Sequence, residues 1–247
     1  MAEHRMHHSS FTAWLTAIAL SCWLSSCTQV AEPSHEEAAY LPSAFCYVDE
    51  VAPRVRTDLK YSGNDNFVGR PIAGYTGRRA MLRKDTAAAI AKASDLLAKE
   101  GYGLKIWDAY RPARAMQDFY AWSKTADDRM KARFYPNLTK KGIYDGKYIG
   151  LKSEHNWGIA VDVTLVHLKS GRECDMGGHH DLLDPCSATD YPDLTPLQRA
   201  NRNRLRTAME AAGMRNYSKE WWHYYLYPTG TCYLYDFPLN DNLPPAP

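Results

Sequence analysis

The stretch from Ser153 to Asp162 constrains the fold more than any other part of the sequence. From Ile159 onward, apolar residues alternate with small or polar ones, so the predicted strand has one apolar face and carries Asp162 on the other. His155 precedes this strand, and Gly158 can form the turn that brings the imidazole back towards Asp162. One histidine and one aspartate make an incomplete zinc site, because catalytic zinc usually takes three protein ligands. The rest of the chain therefore has to supply a third ligand and a general base.

A segment near the C-terminus contains both missing groups. Glu220-Trp221-Trp222-His223 places a carboxylate three residues before an imidazole, at the start of an aromatic strand predicted over residues 221–227. On a regular strand positions 220 and 223 face opposite ways, so Glu220 is expected just outside the strand or at a bulge. His155, Asp162 and His223 then form a ligand set suited to one zinc ion per chain. Glu220 is expected to be the general base for the attacking water.

The remaining sequence predicts strands and helices that alternate without a repeated strand–helix–strand unit. Helices are predicted at 87–100, after Pro112, and from Pro196, where Thr195 and Gln198 form a capping box. Strands are predicted at 45–48, 55–61 and 104–108, whereas 124–150 and 171–196 are interpreted as irregular. We therefore expect an α+β fold with a mainly antiparallel central sheet, helices packed around it and the zinc site on the sheet.

Composition excludes some functions without selecting one. The 247 residues suit a single domain, and a hydrophobic content of 45% supplies material for a core. A net charge of +2 and the lack of a long lysine or arginine run argue against nucleic-acid binding. The oligomeric state is not predicted by the sequence.

The N-terminus is interpreted as an export signal followed by a tether. The apolar run at residues 15–24 is shorter than the roughly 20 residues that a membrane-spanning helix needs. Leu24-Ser25-Ser26-Cys27 resembles a bacterial lipoprotein box, so residues 1–27 are predicted to be a lipoprotein signal with membrane contact through a lipid on Cys27. The alternative is an ordinary signal peptide in which Cys27 is incidental. Residues 28–39 are predicted to be a flexible tether and 40–247 the folded domain. Thr28 favours the outer membrane, facing the periplasm, over the inner membrane.

Four cysteines remain in the predicted domain: Cys46, Cys174, Cys186 and Cys232. In an oxidising compartment they predict two disulfides, with three possible pairings. A Cys174–Cys186 bond would close the 171–196 loop, and Cys46–Cys232 would tie the two ends of the domain. A zinc site made of cysteines is disfavoured, because no close Cys-x-x-Cys pair exists.

Together, the metal and base motifs resemble those of the zinc D-alanyl-D-alanine dipeptidases. These enzymes belong with D,D-carboxypeptidases and L,D-peptidases in one metallopeptidase family. The similarity runs in order over roughly residues 45–238. Its further motifs are Leu59-Lys60-Tyr61 with Asp65 to Gly69, Trp107 to Pro112, Asp175 to Asp181, and Asn201 to Leu205.

The resemblance implies hydrolysis of the D-Ala-D-Ala dipeptide in the cell envelope, for peptidoglycan dipeptide turnover or glycopeptide resistance. It makes Arg111 the cation that faces the scissile carbonyl oxygen, and Asp108 is placed to orient Arg111. It also implies that Asp181 and the Tyr61 hydroxyl hold the free ammonium group of the substrate. Ser153 would hydrogen-bond the substrate at its carboxylate end.

Two other functions remain open. A D,D- or L,D-carboxypeptidase acting on longer wall peptides would share the metal site and differ in the amine pocket. A non-catalytic, wall-peptide-binding lipoprotein could keep zinc for stability, but it would not need Glu220. Many dipeptidases have Ser-Ser-His-Ser-Arg-Gly where this chain has Ser153-Glu154-His155-Asn156-Trp157-Gly158, so Trp157 leaves substrate choice open. The remaining histidines of this region, His167, His179 and His180, are interpreted as loop residues.

Overall fold

The structure is a computed structural model that describes residues 40–227, 231–244 and 246. The predicted signal at 1–27 and the tether at 28–39 lie outside these residues. Within the described part of the chain, no helix combines the length and apolar character needed to cross a membrane. The strands are β1 Phe45–Tyr47, β2 Arg56–Thr57, β3 Met81–Arg83, β4 Tyr102–Asp108, β5 Ala160–His167, β6 Arg215–Asn216 and β7 His223–Tyr225. The helices are α1 Val48–Val51, α2 Lys84–Ala98, α3 Ala113–Ser123, α4 Lys131–Phe134, α5 Lys140–Asp145 and α6 Pro196–Ala211.

The central sheet has five strands in the order β2-β4-β5-β7-β6, and β1 pairs with β3 in a separate two-stranded sheet. The α+β class is confirmed, but the expectation of a mainly antiparallel sheet needs correction because the sheet is mixed. β2 runs parallel to β4, whereas the other three pairings are antiparallel. Parallel neighbours need a long crossover, and the connection between β2 and β4 contains α2. The register places Asp108 opposite Asp162 and Asp162 opposite His223, side by side across three strands.

The two long helices α2 and α6 pack against each other, and both contact the sheet. α2 buries Ile90, Ala93 and Leu97, whereas α6 buries Leu205 and Met209. Strand β5 is buried on both faces except at its last residue, His167. Because β5 is buried on both faces, the Asp162 carboxylate finds its hydrogen-bond partners inside the protein, whereas the Thr164 hydroxyl has none among the described residues.

Helix starts agree with the sequence only in part. The predicted capping box of Thr195 and Gln198 is confirmed at the start of α6. α2 begins at Lys84 without a side-chain cap, and Asp85 lies in its first turn instead of ahead of it. The 124–150 segment is not wholly irregular, since it contains α4 and α5. Helices of four and six residues have too few turns to produce a visible apolar period.

Two predicted strands are shorter than expected. The 55–61 strand reduces to β2 followed by a 3-10 turn at Lys60–Ser62, where the Asn66 amide donates to the Lys60, Gly63 and Arg70 carbonyls. The 221–227 strand reduces to β7, because residues 218–222 form turns ahead of it. Side-chain hydrogen bonding and turn formation thus replace sheet pairing at these ends.

The predicted disulfides are wrong, because Cys46, Cys174 and Cys186 are free thiols. Neither the Cys174–Cys186 bond nor the Cys46–Cys232 bond is therefore formed. The Cys174 amide donates to the Leu165 carbonyl of β5, which holds Cys174 against the sheet. Burial raises the pKa of both Cys46 and Cys174 and keeps these thiols protonated.

Candidate active site

Three side chains converge at the end of the sheet that carries the β5–β7 pairing. His155 Nε2 lies 3.2 Å from His223 Nδ1 and 3.3 Å from Asp162 Oδ1. His223 Nδ1 lies 3.1 Å from the same carboxylate oxygen. All three residues are buried, and their ligand atoms form a nearly equilateral triangle that could hold a metal ion.

Local structure fixes the orientation of His155. It lies in a 3-10 turn, Glu154–Trp157, that Ser153 and Asn156 close with a reciprocal capping box. The turn ends at Gly158, which has a φ of +70° and would place an added Cβ 2.4 Å from the Phe45 ring. Any other residue there would be strained and would clash with that ring. The His155 Nδ1 donates to the Ala109 carbonyl over 2.6 Å, which directs Nε2 into the triangle.

Glu220 lies just before β7, outside the strand, as the sequence predicted for a residue that shares a site with His223. Its carbonyl accepts from the Asn216 amide, which fixes the backbone at this point. Burial raises the pKa of Glu220 well above its usual value, and the charges of Asp162 and Asp181 raise it further. The side chain faces a cavity of about 440 Å³ that also contains the His155, Asp162 and His223 triangle. A carboxylate with a raised pKa beside such a cavity is suited to proton transfer.

Arg111 faces the same cavity and is also paired with a buried carboxylate. Its Nε and Nη2 lie 2.9 Å and 2.8 Å from Asp108 Oδ2, and Asp108 is fully buried. The Tyr75 hydroxyl donates to the other Asp108 oxygen over 2.6 Å. Arg111 Nη2 also lies 3.8 Å from Asp162 Oδ2. Arg111 therefore lines the cavity and at the same time pairs with Asp108, which was expected to orient it.

Asp181 and Tyr61 line the same cavity. The Tyr61 hydroxyl donates to Asp181 Oδ2 over 2.8 Å. Asp181 has a φ of +59°, a left-handed conformation that aspartate tolerates better than most residues and that is uncommon outside functional sites and turns. Burial raises the pKa of Asp181, although the nearby His180 partly opposes that rise. Ser153 lines the cavity as well, and its hydroxyl accepts from the His155 amide.

The sequence-predicted site residues therefore meet in one place. Eight of these predicted residues are among those that line the cavity: Tyr61, Arg111, Ser153, His155, Asp162, Asp181, Glu220 and His223. Asp108 does not line it and lies behind Arg111, as expected of an orienting partner. Trp157 is not among the lining residues, whereas Glu154, which belongs to the same departure from the dipeptidase pattern, lines the cavity.

His180 was expected to be a loop residue, and its place in the site is a finding of the structure. It is buried, and its Nε2 donates to Asp162 Oδ2 over 3.0 Å. Burial on its own would raise the pKa of Asp162, but the charge of His155 and the hydrogen bonds from three histidines hold that pKa well below its usual value. The only signal for His180 in the sequence was its position next to Asp181.

Arg202 on α6 belongs to the Asn201 to Leu205 motif, but the sequence predicted no role for it. It is buried without a carboxylate partner among the described residues, and its guanidinium donates to the Met176, Cys186 and Ala188 carbonyls over 2.7, 3.1 and 2.6 Å. Burial lowers the pKa of Arg202 to about 10. These bonds hold both ends of the loop that carries His180 and Asp181.

The chain is similar to known proteins over most of its length. A family model described as D-Ala-D-Ala dipeptidase matches residues 43–240. A D-alanyl-D-alanine dipeptidase of Streptomyces coelicolor is 42% identical over 198 residues, which cover 79% of this chain and 98% of the relative. One from Enterococcus faecium is 38% identical over 201 residues, with the same coverage of 79% and 98%. One from Escherichia coli is 31% identical and covers 71% of this chain and 81% of the relative. The chain therefore belongs to the D-Ala-D-Ala dipeptidase family, and it is a metallopeptidase.

Proposed function

We propose that this protein is a zinc-dependent dipeptidase that hydrolyses D-Ala-D-Ala to two D-alanines. The observation that carries the proposal is the triangle of His155, Asp162 and His223 with the buried Glu220 beside it. The relatives described above bear the name D-alanyl-D-alanine dipeptidase and match nearly the whole domain.

The donor set fits zinc. Ligand atoms about 2.0–2.2 Å from a tetrahedral zinc ion are separated by about 3.3–3.6 Å. The separations of 3.1–3.3 Å between the three donor atoms are close to that range. Two imidazoles and one carboxylate also match the ligand types of catalytic zinc, which leaves a fourth position open. Bound zinc would supply Lewis-acid chemistry, lowering the pKa of water to about 7 and polarising a peptide carbonyl.

Glu220 and Arg111 would carry the remaining chemistry. Glu220 accepts a proton from the attacking water and donates it to the leaving amine, for which its raised pKa is suited. Arg111 faces the carbonyl oxygen, where negative charge develops during the attack. The contact of two guanidinium nitrogens with Asp108 Oδ2 fixes the guanidinium before the substrate arrives, so little reorganisation is needed.

Selection of a dipeptide requires recognition of its free amino group. Asp181 is a buried carboxylate that lines the cavity, and the Tyr61 hydroxyl fixes its orientation. An ammonium group placed there would form an ion pair with a carboxylate that contacts the Tyr61 hydroxyl and His180 and is also influenced by the positive charge of Arg111. Ser153 is available at the rim for the carboxylate end of the substrate. An acylated amine, as in a longer wall peptide, would leave Asp181 unpaired and would be disfavoured.

The proposed place of action is the cell envelope, with the protein attached through a lipid on Cys27. The support for this part is the lipoprotein box and the tether in the sequence. The proposed role is the turnover of wall-derived dipeptide, with glycopeptide resistance as the second possibility. Mass spectrometry of the protein purified from membranes would show the lipid on Cys27, and a chain that still carries residues 1–27 would contradict the anchor.

The experiment that tests the activity is release of D-alanine from D-Ala-D-Ala by the purified full chain, with and without a chelator. We expect release that the chelator abolishes and added zinc restores. The Glu220→Gln variant should be inactive, whereas Glu210→Gln, which changes an exposed carboxylate on α6, should match the unmodified protein. Faster release of terminal D-alanine from a wall pentapeptide than from the dipeptide would contradict the proposal and favour a carboxypeptidase.

A further inference from the structure

His180 is enclosed by aromatic side chains, and one of its nitrogens points at the metal-binding cluster. Its ring centre lies 5.3 Å from that of Trp107, 5.8 Å from that of Trp222 and 6.0 Å from that of Tyr61. The side chain is only 4% exposed. Packing on these sides leaves the ring little freedom to rotate, so the direction of its Nε2 is set by the fold.

The two oxygens of Asp162 have different partners. Oδ1 is the atom that faces His155 Nε2 and His223 Nδ1 at 3.3 and 3.1 Å. Oδ2 accepts a hydrogen bond from His180 Nε2 over 3.0 Å, and Arg111 approaches it only to 3.8 Å. The other neighbour of His180 Nε2 is Asp181 Oδ1, at the longer distance of 3.4 Å. His180 therefore makes the shorter contact to the oxygen of Asp162 that lies outside the triangle.

We propose that His180 is a positioning residue for the metal: it holds Oδ2 of Asp162 so that Oδ1 alone is presented to the ion. This inference rests on the zinc site described under the proposed function. The terminal torsion of aspartate is soft, so a carboxylate without such a contact rotates easily between orientations. A partner that fixes a ligating side chain typically contributes about 10–100-fold to metal affinity.

The neighbouring His179 provides a matched comparison. Its ring nitrogens lie 2.7 and 3.1 Å from the His180 and Arg133 carbonyls, and its ring packs against Phe134. These contacts tie His179 to the loop and to α4, away from the metal-binding triangle. A loss of metal affinity caused by disturbance of the loop should therefore appear in a His179 variant as well.

The test compares zinc dissociation constants of full-chain variants, measured by competition with a chromophoric chelator. His180→Phe keeps an aromatic ring and removes the donor, so we expect zinc binding weaker by about 10–100-fold. His180→Gln can place an amide donor near the position of Nε2 and should stay close to the zinc affinity of the unmodified protein. His179→Phe should also bind normally. The Co²⁺-substituted proteins supply a second readout, because the absorption spectrum should change in His180→Phe and not in His180→Gln.

The outcomes separate this inference from the proposed function. Failure of the unmodified protein to bind zinc would overturn the zinc site and the inference with it. Normal zinc binding and an unchanged cobalt spectrum in His180→Phe would overturn the role of His180 alone. If His180→Phe does not fold by circular dichroism, His180→Asn replaces it, because the shorter amide does not reach Asp162 Oδ2. Equal zinc affinities for His180→Asn and His180→Gln would then overturn the inference.

Discussion

Arg111 combines a structural contact with a proposed catalytic contact, and a pair of variants can separate the two. Two nitrogens of its guanidinium contact Oδ2 of the fully buried Asp108, and the Tyr75 hydroxyl donates to the other oxygen. Arg111→Met keeps most of the side-chain volume but leaves the Asp108 charge without its cation. Breaking a buried pair in this way typically costs about 3–5 kcal/mol. For a domain of this size, that corresponds to a fall in Tm of about 6–20 °C.

The double variant Arg111→Met with Asp108→Asn removes the stranded charge as well. The Tyr75 hydroxyl can still donate to the carboxamide oxygen that Asp108→Asn introduces, so we expect stability to return to within about 2 kcal/mol of the unmodified protein. Activity should not return, because the cation that faces the carbonyl oxygen is still missing. Both variants should therefore show a kcat for D-Ala-D-Ala lower by about 10²–10³-fold.

The assay pairs urea unfolding with D-alanine release, both at saturating zinc and dipeptide. The informative comparison is between the single and the double variant, in the free energy of unfolding and in kcat. If activity returned together with stability in the double variant, Arg111 would act only by compensating Asp108. The proposed contact with the carbonyl oxygen would then be wrong.

Four further predictions concern the same site. Glu220→Gln should lower kcat by about 10²–10⁴-fold while zinc affinity, measured by chelator competition, changes little. Burial raises the pKa of Glu220, so the folded protein without metal keeps a proton on Glu220 that the unfolded chain releases. The stability that this proton contributes is lost as the pH rises through the raised pKa. After metal removal with a chelator, Glu220→Gln should melt at a higher temperature than the unmodified protein at neutral pH and at a similar temperature below pH 4.5. Equal melting temperatures of the two proteins at both pH values would refute the raised pKa. Asp181→Asn introduces a residue that tolerates the left-handed backbone, and it should raise KM for the dipeptide about tenfold or more with little change in zinc content. An unchanged KM would show that Asp181 does not bind the amino group of the substrate. His155→Ala should lose bound zinc in metal analysis, and retention at one ion per chain would contradict the ligand set.

The sequence determined which residues could form the site because their chemistry and order are local properties. His155 lies in a turn, and Asp162 lies in the strand that follows this turn. Glu220 comes three residues before His223, and this spacing places it ahead of the strand that begins at His223. Gly158 marked the turn, and its positive φ explains why glycine is needed there. The helix start at Thr195 was also readable, since a capping box involves only neighbouring residues.

Tertiary structure decided the features that depend on contacts between distant segments. The parallel pairing of β2 with β4 follows from the crossover through α2, and strand composition does not encode it. Arg202 lies on a largely polar helix, and only folding buries it and lets its guanidinium donate to the carbonyls of residues 176, 186 and 188. His180 gained its role only because folding aligned its Nε2 with the oxygen of Asp162 that lies outside the triangle. A hydrogen bond between residues 18 positions apart depends on distance and direction in space, which local sequence patterns do not specify.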